Sequence, residues 1–151
     1  MAAGLTLSRD KLDAAMARIS ELISRQPVDL AAPRELRLDG VVMPGAADTA
    51  LLDQLERAGP FGAGAPGPRF ALPDLRVQYA REVGTGHLKL TLTDGQSKID
   101  AIAFSAFETE LGPSLSNGKG ASFHFAGRLE INQWQGRKMV QLRIEDAAPV
   151  G

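Results

Sequence analysis

Hydrophobic residues recur with two different periods along this chain, a helical period near the N-terminus and a strand period in the C-terminal half. Between residues 8 and 25 they lie three and four positions apart, which predicts an amphipathic helix with Ser8 as its N-cap and a stop before Pro27. The apolar face comprises Leu12, Ala15, Met16, Ile19, Leu22 and Ile23. We expect this face to pack into a hydrophobic core; the alternative is an uncovered face that self-associates.

Two further elements are predicted before the period changes. Residues 35–43 alternate leucines with charged residues and then turn apolar, which is typical of a short strand. Residues 48–59 have the spacing of a second helix, with Asp48 as N-cap and Gly59 as a left-handed C-terminal residue. The N-terminal part is therefore expected to be an α/β segment.

From residue 70 onwards apolar and polar residues alternate with period two, which is typical of half-buried strands. A short helix is predicted over residues 105–111, with Ser105 as N-cap and an end at Gly112 and Pro113. Gly127 falls in mid-strand, where we expect a bulge. The five predicted strands span residues 75–83, 87–93, 98–104, 121–131 and 137–146.

Three strands, a helix and two more strands within about eighty residues follow the order of an OB-fold, a five-stranded Greek-key barrel. A plain β-sandwich would require more strands and a longer chain. We therefore predict a mainly β protein in which the N-terminal α/β segment precedes an OB-fold-like barrel over residues 70–148.

The stretch "GPFGAGAPGPRF" (residues 59–70) connects the two parts. A phosphate-binding loop leads from a strand into a helix, whereas this stretch follows a predicted helix and precedes a strand. Its three prolines also remove backbone N–H donors that a phosphate would need. We interpret residues 60–69 as a semi-rigid joint, pinned on either side by Phe61 and Phe70.

Composition and charge exclude several classes of protein. Of the 151 residues, 44% are hydrophobic and 23% charged, and the net charge of −1 gives no overall field that would attract nucleic acid or an anionic membrane. The absence of cysteine excludes disulfides and thiolate metal sites. No apolar run has the length of a membrane helix and no secretory signal is visible, so we expect a cytoplasmic protein without a membrane partner.

Candidate binding residues follow from the surface on which OB-folds hold single strands, the outer face of the second and third barrel strands and the loops beside it. Trp134, the only tryptophan, falls at the tip of the last predicted hairpin, where it either stacks on a base or folds back onto the barrel. Residues 119–143 carry five basic side chains against one acidic residue, Glu130, unless this is simply a solvated sheet face. The candidate nucleic-acid-binding residues are Trp134, Arg137, Lys138, Arg128, Lys89, His87 and Phe104.

No catalytic or metal-ligating set is visible in the sequence. Asp94 begins a predicted turn, the usual structural role of aspartate, and Glu108 and Glu110 are expected as solubilising charges. Neither His87 nor His124 has the neighbouring carboxylates of a metal site, and no nucleophile is paired with a base. We expect no catalytic residue, metal or cofactor in this chain.

Three stretches, "LERAGPFGAGAPGPRF", "VGTGHLKLTLTDGQSKIDAIAF" and "NQWQGRKMVQLRIED", closely resemble the C-terminal region of the RecJ family of single-stranded-DNA exonucleases, over residues 51–148. The opening "MAAGLTLS" resembles the segment after the Gly-Gly-His signature of the family's DHH-associated domain. The resemblance implies that residues 1–59 are the end of that domain. The chain departs from the family pattern at Gly59 and Ala65, where relatives usually have Glu and Asn, so contacts of those side chains are not carried over.

The resemblance also implies a function. By this resemblance, the parent protein is a two-metal phosphoesterase, in which a DHH domain binds manganese or magnesium and the OB-fold helps to hold the strand. The leading hypothesis is therefore that this chain is the non-catalytic, single-stranded-DNA-binding part of a 5′ to 3′ exonuclease of DNA repair and recombination. The alternative is an interaction module that braces the nuclease core or docks a partner such as single-stranded-DNA-binding protein. A third hypothesis, a tRNA-linked enzyme related to alanyl-tRNA synthetases, conflicts with the RecJ-like motifs of the barrel.

Overall fold

The computed structural model describes residues 6–25, 35–62, 66–134 and 136–151. Backbone contacts divide the chain into two compact units, Met1–Leu36 and Arg37–Gly151. Among the described residues, the smaller unit contains one α-helix, and the larger unit contains all of the strands.

In the N-terminal unit, a 3-10 turn (Arg9–Lys11) leads into helix α1 (Leu12–Arg25). The helix confirms the expectation, although the Ser8 side chain forms no capping hydrogen bond. The expected core packing of its apolar face is wrong for the described part of the unit, which has no second layer to cover the helix. The side chain of Ile23 lies outside the described residues. Between 39% and 54% of the surface is exposed at Leu12, Met16, Ile19 and Leu22.

The larger unit begins with a strand that is shorter than expected. Strand β1 spans only Gly40–Val41, not residues 35–43, because this is the part that lies alongside a barrel strand, pairing in parallel with Phe70 and Ala71. The preceding leucine, Leu38, is exposed. β1 is therefore a short extension of the barrel sheet.

Helix α2 (Thr49–Ala58) agrees with the sequence at its start and differs at its end. The Asp48 side chain caps it, with Oδ1 accepting the Leu51 N–H at 2.8 Å. Gly59 is extended (φ −75°, ψ −168°), so the predicted left-handed conformation is wrong. Its N–H instead bonds the Glu56 carbonyl at 3.1 Å, and a tight last turn ends the helix.

Five strands form a closed barrel in the neighbour order β2-β3-β4-β6-β5, with β5 pairing back onto β2. The β4–β6 pair is parallel and the other four pairs are antiparallel. This topology is that of an OB-fold, which confirms the predicted fold class. The strands are β2 (Phe70–Val83), β3 (His87–Thr93), β4 (Lys98–Ala103), β5 (Ser122–Trp134) and β6 (Arg137–Pro149).

Strand β2 begins five residues before its predicted start at residue 75. Pro73 lies inside it, which the sequence would not favour, because proline has no N–H to donate to a ladder. A register shift between Leu72 and Leu75 leaves Pro73 and Asp74 unpaired with β5. The N–H group that Pro73 lacks is therefore not needed for any hydrogen bond between β2 and β5.

The helix between β4 and β5 is displaced from its predicted position. Residues 106–108 form a 3-10 turn, and helix α3 spans Leu111–Asn117. Gly112 and Pro113 start this helix instead of ending the predicted one, because the first-turn N–H groups have no acceptor within a helix and proline loses nothing there. Ser105 is left-handed (φ 47°) and caps nothing with its side chain.

The barrel core consists of inward-facing side chains and is closed at its two ends by helices. Leu115 of α3 lies beside Phe123, at the start of β5. Leu52 of α2 lies beside Leu129, further along the same strand. The largest fully buried side chains are Phe125, Leu72, Leu75, Leu88, Leu90, Leu92, Leu115, Leu142 and Val77.

The expected joint is described only in part. Phe70 is buried and starts β2, whereas Phe61 is exposed and lines a cavity of about 270 Å³ with Leu52. Residues 63–65, including Ala65, lie outside the described residues. Within the larger unit, β1 pairs with the barrel and α2 packs on it. The boundaries predicted at residues 59–60 and 69–70 stay predictions.

Gly127 forms the expected bulge between β5 and β6. It pairs with Ile144 while Ala126 pairs with Asp146, so Glu145 has no partner across the ladder. A Cβ atom at Gly127 would lie 2.1 Å from the carbonyl oxygen of Arg143. Only glycine allows the two backbones to approach this closely, and the bulge re-aims the Glu145 side chain.

The β3–β4 turn is held by the Asp94 carboxylate, as predicted. Its Oδ1 accepts the N–H of Ser97 at 2.7 Å and that of Gln96 at 2.9 Å. These backbone hydrogen bonds, that from Ser97 above all, hold the pKa of Asp94 below its ordinary value. The role of Asp94 is therefore structural.

We expect Gly127→Ala to destabilise the protein by about 1–3 kcal/mol, because the added methyl group forces the two bulge backbones apart. The matched control is Gly40→Ala, another strand glycine, where a Cβ would lie 3.6 Å from the Phe70 ring in ordinary contact. Urea unfolding measures both free energies of unfolding. Equal effects of the two substitutions would contradict the role given to the close approach.

We expect Asp94→Asn to reduce the acid sensitivity of the fold. A carboxyl with a lowered folded pKa stabilises the protein above its unfolded pKa, about 3.9 for aspartate, and this stabilisation disappears as the pH falls through the folded pKa. The urea midpoints of variant and wild type should therefore converge on acidification, with Asp53→Asn on the exposed side of α2 as control. An NMR titration midpoint of Asp94 at or above the ordinary value would refute this account.

Candidate nucleic-acid interface

The outer face of β3 and β4 is polar, as the alternation predicts. Leu88, Leu90 and Leu92 of β3 are buried in the barrel, as are the alternate residues of β4. The residues that alternate with these buried ones face outward and are half-buried or exposed. These outward residues are His87, Lys89, Thr91, Lys98, Asp100 and Ile102, followed by Phe104 just beyond β4.

The strand register aligns basic side chains from different strands on this face. Residues directly opposite each other in neighbouring strands share a face of the sheet. Arg81 pairs with Lys89, Lys89 with Ile102, Ile102 with Arg143, and Arg143 with Arg128. We call these five residues, one from each barrel strand, the basic row.

The next row along the strands is polar and acidic. It contains Tyr79, Thr91, Asp100, Gln141 and Glu130, paired in the same strand order. Tyr79 faces outward because the register shifts between Val77 and Tyr79, which breaks the alternation that Leu75 and Val77 follow. The basic row is therefore bordered on this side by a ring and two carboxylates.

Only part of the charge in the basic row is neutralised. Lys89 Nζ lies 3.9 Å from an Asp100 oxygen, a loose contact that leaves 38% of the lysine side chain exposed. Arg128 is paired with Glu145. Arg81 and Arg143 form no salt bridge with any carboxylate in the described part of the chain. Two cations of the row are thus free to bind an external anion.

An exposed phenylalanine lies at the edge of the basic row. Phe104 is 47% exposed, its ring meets the His87 ring edge-on at 5.2 Å, and the Arg143 guanidinium carbon lies 5.2 Å from its centroid. His87 is held in turn by its Nδ1, which accepts the Ser105 N–H at 3.0 Å. The Phe104 ring is therefore positioned as a flat surface next to positive charge, which suits an unpaired base and its phosphate.

The hairpin residues of the sequence prediction lie apart from this face. β5 and β6 pair as far as Trp134 and Arg137. The side chains of Trp134 and Arg137 are outside the described part of the structure, and Lys138 is exposed. Arg137 precedes Arg143 by six residues of strand, a separation of about 20 Å. The predicted set is thus divided into two groups. The hairpin group is Trp134, Arg137 and Lys138, and the face group is Lys89, His87, Phe104 and Arg128.

Sequence reasoning missed two residues of the face and undervalued a third. Arg81 and Tyr79 were assigned no role, and Arg143 was counted only in the local charge. No local signal places Arg143 beside Phe104, because their proximity depends on the parallel pairing of β4 with β6. Strict alternation would place Arg81 on the same side as the buried Val77, so its outward position depends on the register shift between Val77 and Tyr79.

The described residues offer no place for a catalytic metal. They contain no cluster of three His, Cys, Asp or Glu side chains that could hold a metal ion. Asp94 is engaged by its turn, and Asp100 accepts the Thr91 hydroxyl at 3.2 Å. A manganese or magnesium ion therefore does not fit these residues. Of the described helices, none has the length and hydrophobicity needed to span a bilayer.

Comparison with known proteins gives a consistent family. Residues 38–146 match the family model described as RecJ OB domain. The chain is 32% identical to the single-stranded-DNA-specific exonuclease RecJ of Escherichia coli (strain K12), over 99% of this chain and 26% of that protein. It is 27% identical to the protein of the same name from Bacillus subtilis (strain 168), over 98% of this chain and 19% of that protein.

The fold is shared with a solved structure as well. The crystal structure of RecJ in complex with Mn²⁺ from Thermus thermophilus matches with a TM-score of 0.64 and 24% identity, over 98% of this chain and 20% of that one. This chain spans about a quarter of the length of its Escherichia coli relative, at 26%. With its OB-fold and the match over most of its length, the chain belongs to the RecJ OB domain family.

Proposed function

We propose that this chain binds single-stranded DNA across the basic row, with a base stacked on Phe104. The observation that carries the proposal is the alignment of Arg81, Lys89 and Arg143 beside an exposed aromatic ring. Cations attract the phosphate backbone, and a ring gives affinity for bases without reading their sequence.

The exposed ring favours a single strand over a duplex, and the length of the row sets the footprint. A ring standing on the surface can stack only on a base that is not already stacked within a helix. The row crosses five strands, four spacings of about 4.8 Å, and is thus about 19 Å long. This length suits a few nucleotides, at the lower end of the roughly 4–16 that OB-folds bind.

The relatives support a place for this binding in a larger reaction. Their name describes exonucleases specific for single-stranded DNA. We propose that this chain holds the strand for such an enzyme, in DNA repair and recombination, while Mn²⁺ or Mg²⁺ acts in a part of the protein other than the described residues. The cytoplasmic location and contact with single-stranded-DNA-binding protein stay predictions.

A second candidate function, docking or bracing of protein, is favoured by helix α1. Its exposed apolar side chains are a surface suited to protein contact, not to DNA. This function predicts that substitutions on the basic row leave DNA binding unchanged. The two functions therefore differ in the outcome of the following measurements.

We expect Phe104→Ala to weaken binding of a fluorescein-labelled oligo-dT by about 1–3 kcal/mol, the usual contribution of one base stacked on an aromatic side chain. Fluorescence anisotropy measures the affinity. The matched control is Phe61→Ala, which removes a ring of similar exposure, 43% against 47%, that lies beside α2. Equal affinities of the two variants would exclude Phe104 as the stacking residue.

We expect Arg143→Ala to lower the salt dependence of oligo-dT binding by about 0.7 in the slope of log K against log salt, the value for one phosphate contact on a single strand. Arg76→Ala removes an exposed arginine of β2 that is not in the row, and it should leave the slope unchanged. A triple Trp134, Arg137, Lys138 to alanine variant tests the hairpin group in the same assay. Loss of binding in the triple variant alone would move the site to the hairpin.

We expect no nuclease activity from this chain with Mn²⁺, because the described residues provide no metal site. The assay uses end-labelled oligo-dT and a gel readout. Activity that co-purifies with the chain through several columns would contradict this expectation.

A further inference from the structure

Glu145 lies between two arginines at the end of the basic row. Its Oε2 accepts the Arg69 Nε–H in a short charge-assisted hydrogen bond, and its Oε1 lies 3.1 Å from Nε of Arg128. The Glu145 side chain is only 24% exposed. A carboxylate held by two guanidinium groups occupies a place that suits a phosphate equally well, because both anions present oxygens to arginine in the same way.

The two arginines are held to different degrees. Arg69 has two anchors besides Glu145: its Nη1 donates to the Arg37 carbonyl at 3.0 Å, and its backbone N–H donates to Asp39 Oδ2 at 2.8 Å. Nε of Arg128 is buried and donates no hydrogen bond in the described structure, so its contact with Glu145 is an ion pair without hydrogen-bond geometry. Arg128 is therefore the partner that can exchange this carboxylate for another anion at the lower cost.

Arg128 is also part of the proposed binding surface. It faces Arg143 across the β5–β6 ladder, and 34% of its side chain is exposed. A phosphate backbone that follows the row past Arg143 reaches Arg128 next. There it meets the Glu145 carboxylate, which the bulge opposite Gly127 has turned toward the arginine.

We propose that Glu145 is an internal phosphate mimic. In the free protein its carboxylate screens the charge of Arg128. The DNA backbone displaces the carboxylate from Arg128, while its hydrogen bond with Arg69 persists. This inference rests on the proposed function and adds a regulatory element to the same site. The carboxylate lowers affinity for weakly bound anions. A strand that engages the whole row gains Arg128 as a further contact.

The test uses two neighbouring isosteric substitutions in the full chain. Glu145→Gln removes the competing charge but retains an acceptor for Arg69. Asp146→Asn makes the same charge change one residue away, where the side chain only accepts the Ala147 N–H at 2.8 Å. With oligo-dT and fluorescence anisotropy, we expect Glu145→Gln to tighten binding about threefold to tenfold, and Asp146→Asn less than about twofold.

Substitution of Arg128 completes a double-mutant cycle with Glu145→Gln. Arg128→Gln in the wild-type background should lower the salt slope by about 0.7, and in the Glu145→Gln background it should abolish the gain in affinity. If Glu145→Gln tightens binding no more than Asp146→Asn, or if its gain survives without Arg128, the inference is wrong while the proposed function stands. If neither wild type nor Glu145→Gln binds oligo-dT at low salt, both are wrong.

An NMR measurement on the wild-type protein does not depend on the stability of any variant. The Nε–Hε resonance of Arg128 should shift on titration with oligo-dT, whereas that of Arg69 should remain in place because its bond to Glu145 persists. Equal shifts of the two resonances, or a shift of Arg69 alone, would overturn the proposed exchange.

Discussion

The close approach of two backbones at Gly127 is the constraint on which the outer face of the barrel depends. Gly127 pairs with Phe70 on one side and Ile144 on the other, so it sits where β5 meets both β2 and β6. A Cβ there would overlap the Arg143 carbonyl. The bulge sets the register that follows, and a slip of one residue would turn Arg128 and Arg143 to the opposite face.

The cations of the basic row repel one another, and residues next to them reduce this repulsion. Two like charges about 5 Å apart repel each other by roughly 1 kcal/mol in water, and more where the solvent is partly excluded. Ile102 separates Lys89 from Arg143, Asp100 lies near Lys89, and Glu145 pairs with Arg128. The Arg143 guanidinium is placed over the Phe104 ring instead of beside a carboxylate. The row is thus balanced enough to fold while leaving charge available to a ligand.

Particular residues show how far the sequence predicts this arrangement. The alternation of Leu88, Leu90 and Leu92 assigns the two faces of β3 correctly, because one face of a barrel strand is always buried. The same reasoning fails at Tyr79, where a register shift changes the phase, and at Pro113, where a residue that ends many helices instead occupies a first turn. The face group, Lys89, His87, Phe104 and Arg128, was predictable strand by strand. Its completion by Arg143 was not, since it depends on pairing between residues about forty positions apart, and local patterns carry no such information.

The total charge of the chain is a poor guide to such a surface. Its 17 basic and 18 acidic residues give a net charge of −1, yet a phosphate at physiological salt senses charges only within about 8 Å. Under the proposed function, affinity and salt dependence follow the few cations of the row, while the weak overall field contributes little to the capture of DNA from a distance. A surface of this kind is most effective when something else brings the strand to it. Covalent connection to a domain that already holds the strand would do so by raising the effective concentration.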